Sequence, residues 1–333
     1  MKTFIRYTLM LFRIVMAFAA SLFAVRPVAF TRRDPAAAGD QVPAHFVNKY
    51  ADDVTLNMQQ TTSRLEPYAT VHSGVVGASE SCDNVGSSES QEVTTRFSDM
   101  EANNTPHTRR WIDLRDFDWF DYVDSFDKLK VLTDPTNKYV TLAVAAHNRR
   151  KDRLIVEAAL GSVREQTGQG NNGSSQYVVL PAGQKILHGG TNISMAKIRS
   201  AIELMNAAEA ASPEEGGERI FVYTSSQLTV LMADNTLTSS DYNTLQALMD
   251  YKVESFMGMT WKRTEILPKV GTTRSCCIFG KGYMHLGIGQ EITNDVAVNK
   301  NKRGYPYQVY SMMSLGAARS EDKGVVEIQC TEP

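Results

Sequence analysis

The stretch DPTNKYVTLAVAAHNRRKDRLIVEAALG, residues 134–161, carries the clearest structural signal in the sequence. Asp134 is a favoured helix N-cap, and Pro135 is tolerated at the first helical position because its missing N–H would be unpaired there anyway. Gly161 supplies a C-terminal stop. The pattern predicts one helix over residues 134–160, about 39 Å long at ~1.5 Å per residue.

The centre of this predicted helix is strongly basic. It holds Arg149, Arg150, Lys151 and Arg153 against a single acidic residue, Asp152. A long helix with a charged middle is more typical of a spine lying across a domain than of a fully buried core helix.

Upstream of the helix, residues 71–118 are rich in Ser, Thr, Gly, Asp and Asn. Alternation of side-chain character predicts one strand near residues 93–97 and another near residues 111–116. Two strands beside a long polar stretch indicate an extended β-hairpin. Because such a stretch cannot bury a core of its own, we expect it to lie against another chain.

Six aspartates lie between residues 113 and 127, interleaved with aromatic residues. A pair of carboxylates from this run could serve acid–base catalysis. No pocket-forming pattern accompanies them, so we interpret them as part of a solvated or salt-bridged strand and turn.

Downstream, residues 192–300 have the pattern of a compact α/β unit. Helical spacing predicts a helix whose apolar face holds Met195, Ile198, Ile202, Met205 and Ala208. The short apolar run at residues 220–223 is typical of a buried strand. Ser225 is the expected cap of a second helix, and Ser239 or Ser240 the cap of a third. Further strands are expected at residues 257–266, 276–288, 305–315 and 325–330.

Motifs for catalysis, cofactors or metals are weak in this sequence. Residues 168–173 match GxGxxG, but a dinucleotide site needs a strand before the glycines and a helix after them, and here a strand is expected to follow. The histidines have no metal-ligand spacing. The cysteines match no metal or redox spacing and are interpreted as small core residues, with two disulfides in a secreted protein as the alternative; they are Cys82, Cys276, Cys277 and Cys330. We therefore expect no enzyme activity, no cofactor and no metal.

Composition separates a basic head from the rest of the chain. The chain has 333 residues with a net charge of −2, and it is 42% hydrophobic and 22% charged, which excludes collagen, coiled coil and wholesale disorder. Residues 1–40 carry a net charge of +4. The uncharged run at residues 14–25 is too short to span a membrane. It fits a signal-peptide core, a transit segment, or an extension that is mis-assigned or processed away.

An ordered set of sequence blocks resembles the major capsid proteins of tailed, podovirus-like phages and prophages. The blocks are VPAHFVNKY (42–50), QEVTTR (91–96), TPHTRRWIDLRDFDW (105–119), DPTNKYV (134–140), LPAGQKI (180–186), SSDYNTLQALM (239–249), FMGMTWKRTEIL (256–267), GIGQEI (287–292) and residues 305–330. No single block is a chemical signature, so the resemblance depends on their order. It covers nearly all of residues 42–330 and does not include residues 1–41.

The resemblance implies an α+β architecture, the Hong Kong 97-type capsid fold. The implied divisions are a hydrophobic basic extension and linker (1–41), an N-terminal arm (42–70), an extended loop (71–118), a peripheral domain (119–191 and 301–333) with its spine helix at 134–160, and an axial domain (192–300).

The resemblance also implies a structural protein that assembles into pentamers and hexamers of an icosahedral phage head, in the host cytoplasm. Scaffolding and portal proteins are the implied partners, and double-stranded DNA is enclosed without sequence-specific binding. The net charge of −6 outside the basic head suits such a container. Two alternatives stay open: a cargo-enclosing compartment of the same fold, and an exported or membrane-anchored protein that uses residues 1–30.

Complementary charge suggests where neighbouring subunits meet. Arg149, Arg150 and Arg153 on the spine helix, and Asp116 and Asp118 beside the loop, lie in segments of opposite charge. We expect these five residues to form inter-subunit contacts, with ordinary solvated charge as the alternative.

Overall fold

The structure, a computed structural model, describes residues 56–92, 94–96, 99, 102–123, 136–167, 174–233, 246 and 254–332. Several features expected from the sequence lie outside these residues. They are the basic head, the first part of the expected arm, the GxGxxG loop at 168–173 and the cap of the third helix at Ser239 or Ser240.

Three α-helices and fifteen strands have their bounds within the described part of the chain. The helices are α1 (Thr136–Leu160), α2 (Met195–Ala207) and α3 (Ser225–Met232). The strands are β1 (Thr70–Ser73), β2 (Ser79–Val85), β3 (His107–Asp113), β4 (Arg115–Val123), β5 (Val163–Thr167), β6 (Ser174–Val178), β7 (Lys185–Ile186), β8 (Arg219–Tyr223), β9 (Ser255–Phe256), β10 (Met259–Arg263), β11 (Lys269–Val270), β12 (Thr273–Gly280), β13 (Met284–Val298), β14 (Tyr307–Arg319) and β15 (Val325–Thr331).

The strands form three sheets. One has the order β1-β13-β14-β4, and a second has the order β2-β3-β5-β6. The third and largest sheet has the order β7-β15-β12-β8-β10-β9, with β11 paired to β12. Strand β15 therefore completes the sheet of β8 and β12, although it lies at the end of the chain.

The spine helix is confirmed over Thr136–Leu160, where it packs against β13 and β14. It ends at Gly161, where a Cβ atom would stand only 2.5 Å from the Glu157 carbonyl oxygen, so a larger residue does not fit. The helix is more buried than its charged middle suggested, because Leu154 and Ile155 belong to the main apolar core.

One apolar core joins the spine helix to the α/β unit. It contains Ile155 of α1, Ile198 of α2, Phe221 of β8 and Phe279 of β12, each at most 1% exposed. Each side chain of this size stabilises the fold by about 1.5–3 kcal/mol when it is fully buried. The predicted helix at 195–208 and the predicted buried strand at 220–223 are both confirmed.

The hairpin is confirmed, but one of its predicted strands was wrong. Residues 94–96 are not a strand; β3 instead pairs with β2 from Ser79↔Asp113 to Val85↔His107. The alternation failed at 94–96 because these residues lie in the tip, away from any partner ladder; Val93 and Phe97 lie outside the described residues. Strand β2 was missed because Ser, Glu, Asp and Asn are poor strand formers.

Two smaller expectations are settled by the structure. Thr224, and not Ser225, caps α3: its backbone N–H donates to Gln227 Oε1 at 2.8 Å, and Gln227 lies in the first turn. The four cysteines are buried free thiols, so the core interpretation is confirmed and the disulfide alternative is wrong.

Candidate assembly surfaces and anchoring sites

The hairpin of β2 and β3 carries a long exposed tip. Residues 86–92 and 102–104 are exposed wherever the structure describes them, and the apolar Val85 at the base of the tip is 66% exposed. The tip is held closed at its base by the backbone N–H of Gly86, which donates to the Pro106 carbonyl at 2.8 Å. An ordered β-ribbon therefore presents polar residues that the described part of its own chain does not cover.

Polar contacts stiffen the hairpin itself. Arg109 on β3 donates from Nε and Nη2 to the two carboxylate oxygens of Asp83 on β2, at 2.6 and 2.8 Å. This hydrogen bonding lowers the pKa of Asp83. The guanidinium groups of Arg109 and Arg164 lie 5.8 and 5.1 Å from the centre of the Trp111 ring, within cation–π range.

A buried ion cluster joins the root of the hairpin to the C-terminal strands. Arg110 on β3 donates to Glu165 on β5 at 3.0 Å and to Asp322 at 2.8 Å. Arg319 on β14 is fully buried and donates to Asp322 at 2.6 Å. Burial acts to raise the pKa of Asp322, but hydrogen bonds from both arginines outweigh it and leave that pKa below its usual value.

The same Arg319 also closes the C-terminal end of α1. It donates to the carbonyl oxygens of Ala158 and Val178 at 3.0 Å each, and to that of Gly161. The last carbonyls of a helix lack partners within the helix, and a positive charge there is favourable. Arg319 thus connects the spine helix, β14 and β6.

The charged middle of α1 anchors the chain segment at residues 59–66. Asp152 is fully buried and accepts hydrogen bonds from Ser63 Oγ at 2.6 Å, from the backbone N–H of Leu65 at 3.0 Å and from that of Arg64 at 3.1 Å. The side-chain amide of Gln60 donates to the same carboxylate. By accepting these hydrogen bonds, the carboxylate fixes the turn of the segment where it leads into the core.

Neighbouring residues of the helix hold the same segment. Lys151 Nζ forms an ion pair with Glu66 at 2.8 Å, and Arg149 Nη1 donates to Gln59 Oε1 at 2.8 Å and to the Gln60 carbonyl at 2.9 Å. The middle of the helix is therefore largely a contact within the chain. This role of Lys151 and Asp152 did not follow from the sequence, where a lone aspartate inside a basic run was the only available signal.

The five residues proposed from charge lie in different environments. Arg149 is half-buried in the contacts just described, and the guanidinium of Arg150 lies 4.4 Å from the centre of the Phe117 ring. Arg153 is exposed on α1, and Asp116 and Asp118 are exposed on β4. Strand alternation explains this, since Phe117 points towards the helix and its two neighbours point away. Within the described residues of one chain, no ion pair joins the basic set to the acidic pair.

Membrane and nucleotide sites receive no support from the geometry. No helix in the described ranges is long and apolar enough to cross a membrane. The candidate segment at residues 1–30 lies outside those ranges. Strands β5 and β6, which flank the GxGxxG loop, pair with each other antiparallel, so the strand-then-helix context of a dinucleotide site is missing.

A profile of the phage capsid protein family matches residues 42–332. The chain therefore belongs to this family, and it is a structural protein of the virion. No curated protein sequence matches the chain.

Solved phage capsids share the fold at low sequence identity. The chain is similar to the capsid of Ralstonia phage GP4, with a TM-score of 0.65 and 12% identity over 92% of this chain and 98% of that one. It is similar to the capsid of cyanophage P-SCSP1u, with a TM-score of 0.63 and 16% identity over 87% and 94% of the two chains. A third similar structure is the cyanophage Pam1 capsid, with a TM-score of 0.64 and 11% identity over 87% and 97%.

These matches confirm the Hong Kong 97-type capsid fold and the identification as a major capsid protein, a subunit of a multimeric shell. They give no support to a cargo compartment or to an exported protein.

Proposed function

We propose that subunits of this protein form pentamers and hexamers that tile an icosahedral head around double-stranded DNA. The observation that carries the proposal is the hairpin of β2 and β3, whose tip at residues 86–106 is exposed at every described position except the half-buried Thr105. A neighbouring subunit would supply the cover that the tip lacks within its own chain. Membership of the capsid family supports this choice of neighbour.

We propose the following division of labour within the subunit. Residues 42–70 act as an arm and residues 71–118 as the extended loop, both reaching adjacent subunits. Residues 119–191 and 301–333 form the peripheral domain, and residues 192–300 gather around the centre of each capsomere. The long α1 and the shared core support this division, because they provide a rigid base from which the hairpin projects.

The proposal includes partners beyond the subunit itself. Scaffolding and portal proteins would guide assembly in the host cytoplasm, and the packaged DNA would be enclosed without sequence-specific contacts. The net charge of −6 outside the basic head supports weak binding to the enclosed phosphates, because tight DNA binding depends on clustered Lys and Arg.

Shortening the hairpin tests the proposed function. We would replace residues 86–106 with Asn-Gly, which suits the two-residue turn needed between the paired Val85 and His107. Because the root cluster of Arg110 and Asp322 is untouched, we expect a folded subunit that forms no shells under conditions in which the unmodified chain forms them. The readouts are circular dichroism for folding and negative-stain electron microscopy for assembly.

The matched control is Ser87→Ala with Ser88→Ala, which changes two exposed tip residues and keeps the tip length. Normal shells from this control and none from the shortened chain would support the proposal. Normal shells from the shortened chain would contradict it.

We further propose that the exposed charges of Arg153, Asp116 and Asp118 pair between subunits, with Arg149 and Arg150 close to the same contact. Arg153→Glu alone, or Asp118→Arg alone, should reduce the yield of shells, and the two changes together should restore it. Arg199→Glu is the control, because Arg199 is an exposed arginine on α2. Unchanged yields from both single variants would contradict this pairing; particle counts by electron microscopy provide the measurement.

A further inference from the structure

Three potential metal ligands from three different strands converge beneath the root of the hairpin. They are His72 on β1, Cys82 on β2 and His285 on β13, and one ligand atom from each lies within 4.8 Å of the other two. His72 Nε2 and His285 Nδ1 are 2.8 Å apart. The cluster is distant in sequence, so residue spacing alone could not show it.

We propose that His72, Cys82 and His285 bind one Zn²⁺ ion. Two imidazole nitrogens and one thiolate form a donor set that suits zinc, and carboxylate-preferring ions such as Mg²⁺ are poor matches. Ordinary zinc bond lengths place tetrahedral donor atoms about 3.3–3.6 Å apart. To reach this geometry the two imidazole nitrogens, now 2.8 Å apart, must separate, and any donor pair now as far apart as 4.8 Å must draw together. A water molecule completes the fourth position.

The surroundings of His72 already orient it as a ligand. Its Nδ1 lies 3.3 Å from Glu80 Oε1, which leaves Nε2 facing the cluster. A carboxylate that holds the outer nitrogen of a histidine is the usual second contact of a zinc-binding imidazole. The other oxygen of Glu80 is buried and has no hydrogen-bond partner within the described residues, so it is available to hold a metal-bound water.

Access and burial are also suitable. Cys82 is 5% exposed, and the side chain of His72 is 28% exposed, so an ion can enter from the His72 side while the sulfur stays shielded. Binding requires the thiolate, and the proton released from Cys82 passes to solvent. The bound ion would join β2 of the hairpin to the sheet of β1 and β13, which would fix the direction in which the hairpin projects.

Titration of the full chain with Co²⁺, followed by Zn²⁺, tests the site. Cobalt is a coloured substitute for zinc, and a tetrahedral site with one sulfur gives visible d–d bands together with a thiolate-to-cobalt charge-transfer band. We expect one Co²⁺ per chain with both signals, and complete loss of the bands when Zn²⁺ is added. Absence of the charge-transfer band from folded protein at saturating Co²⁺ would overturn the proposal.

Variants assign the signal to these residues. Cys82→Ala should abolish the charge-transfer band, and His72→Gln should weaken Co²⁺ binding at least tenfold. Cys277→Ala and His107→Gln are the matched controls, because they alter a buried thiol and an exposed imidazole outside the cluster. They should leave the charge-transfer band and the affinity for Co²⁺ unchanged. If Cys82→Ala fails to fold, His72→Gln still tests whether the cluster binds the metal, because a substitution at the partly exposed His72 should leave the fold intact. Undiminished binding by His72→Gln, or a band that persists without Cys82, would overturn the assignment.

Discussion

Asp152 is the residue on which the position of the 59–66 segment depends most directly. Its buried carboxylate accepts hydrogen bonds from two backbone N–H groups and from the side chains of Ser63 and Gln60. A buried charge is tolerated only when such partners replace the lost water. The segment and the helix therefore stabilise each other through these polar contacts, in addition to the apolar core that Leu65 and Ile155 share.

The variant Asp152→Asn should lower the free energy of unfolding by about 2–3 kcal/mol, because hydrogen bonds to a charged group contribute ~1.5–3 kcal/mol and the amide can accept at only one oxygen. Urea denaturation of unassembled subunits gives the value. Arg153→Ala, one position along and exposed, should change it by less than ~0.5 kcal/mol. Equal effects of the two variants would contradict the anchoring role of Asp152.

His147 gives the protein a stability that depends on pH. Burial lowers its pKa below the usual 6.5 and the charge of Lys151 acts in the same direction, while a hydrogen bond to the Ser311 backbone and the charge of Asp118 oppose them. As the pH falls through about 6.5, the imidazole of His147 is protonated in the unfolded chain but stays largely neutral in the folded chain. Stability should therefore fall as the pH drops below 6.5, by at most ~1.4 kcal/mol per pH unit for one such group.

Replacing the histidine tests this dependence. His147→Gln should flatten the decline in unfolding free energy between pH 6.5 and 5, and His107→Gln, an exposed histidine on β3, should leave it unchanged. Urea denaturation at a series of pH values provides the comparison. An identical decline in wild type and His147→Gln would show that this imidazole does not contribute.

Some residue roles could be predicted from the sequence and others could not. The helical positions of Ile198 and Met205 followed from spacing, because apolar periodicity records which face is buried. The burial of Lys151 and Asp152 did not follow, since it depends on a segment that lies 85 or more residues earlier in the chain. Charge patterns alone cannot distinguish a solvated face from one that binds another part of the chain.

At the scale of elements, the C-terminal end of α1 depends on Arg319 from a distant strand. Arg319→Met should lower the free energy of unfolding by about 3–5 kcal/mol, because the change leaves Asp322 partly buried with a lost partner and removes hydrogen bonds from three carbonyls. Thermal and urea denaturation provide the measurement. Lys323→Ala is the control, as Lys323 is exposed beside the cluster.

A loss below about 1 kcal/mol from Arg319→Met would contradict this role, since it would fall within the range of an ordinary substitution. A loss of several kcal/mol from Lys323→Ala would show that the free energy of unfolding responds to any change near the cluster, and not specifically to the loss of the Arg319 guanidinium.

Element boundaries were predicted well where local signals are strong. Gly161 sets the C-terminal limit of the spine helix and an apolar run marks strand β8, and both elements were found where expected. The cap predicted at Asp134 lies outside the described residues. Strand β2 has neither, and it forms because β3 offers a partner ladder and Cys82 points into the core. Non-local pairing of this kind overrides propensity, so the polar hairpin was placed correctly while one of its strands was not.

At the scale of the whole molecule, the chain combines a shared rigid core with a projecting hairpin. Strand β15 pairs with β12, while β13 pairs with β14, so the C-terminal strands take part in both the largest sheet and the sheet of β1, β13, β14 and β4. This arrangement couples the base of the hairpin to the α/β unit. The overall fold was predictable from the ordered sequence blocks, whereas this sharing of strands was not, because strand order is not encoded in periodicity.

Cryo-electron microscopy of the assembled full chain would show whether this protein is the subunit of a closed icosahedral shell. We would express the chain with and without residues 1–41, alone and with a scaffolding protein. We expect closed shells in which residues 86–106 of each subunit lie against a neighbour. Monodisperse monomers under every one of these conditions, or shells in which the hairpin tip contacts no other subunit, would contradict it.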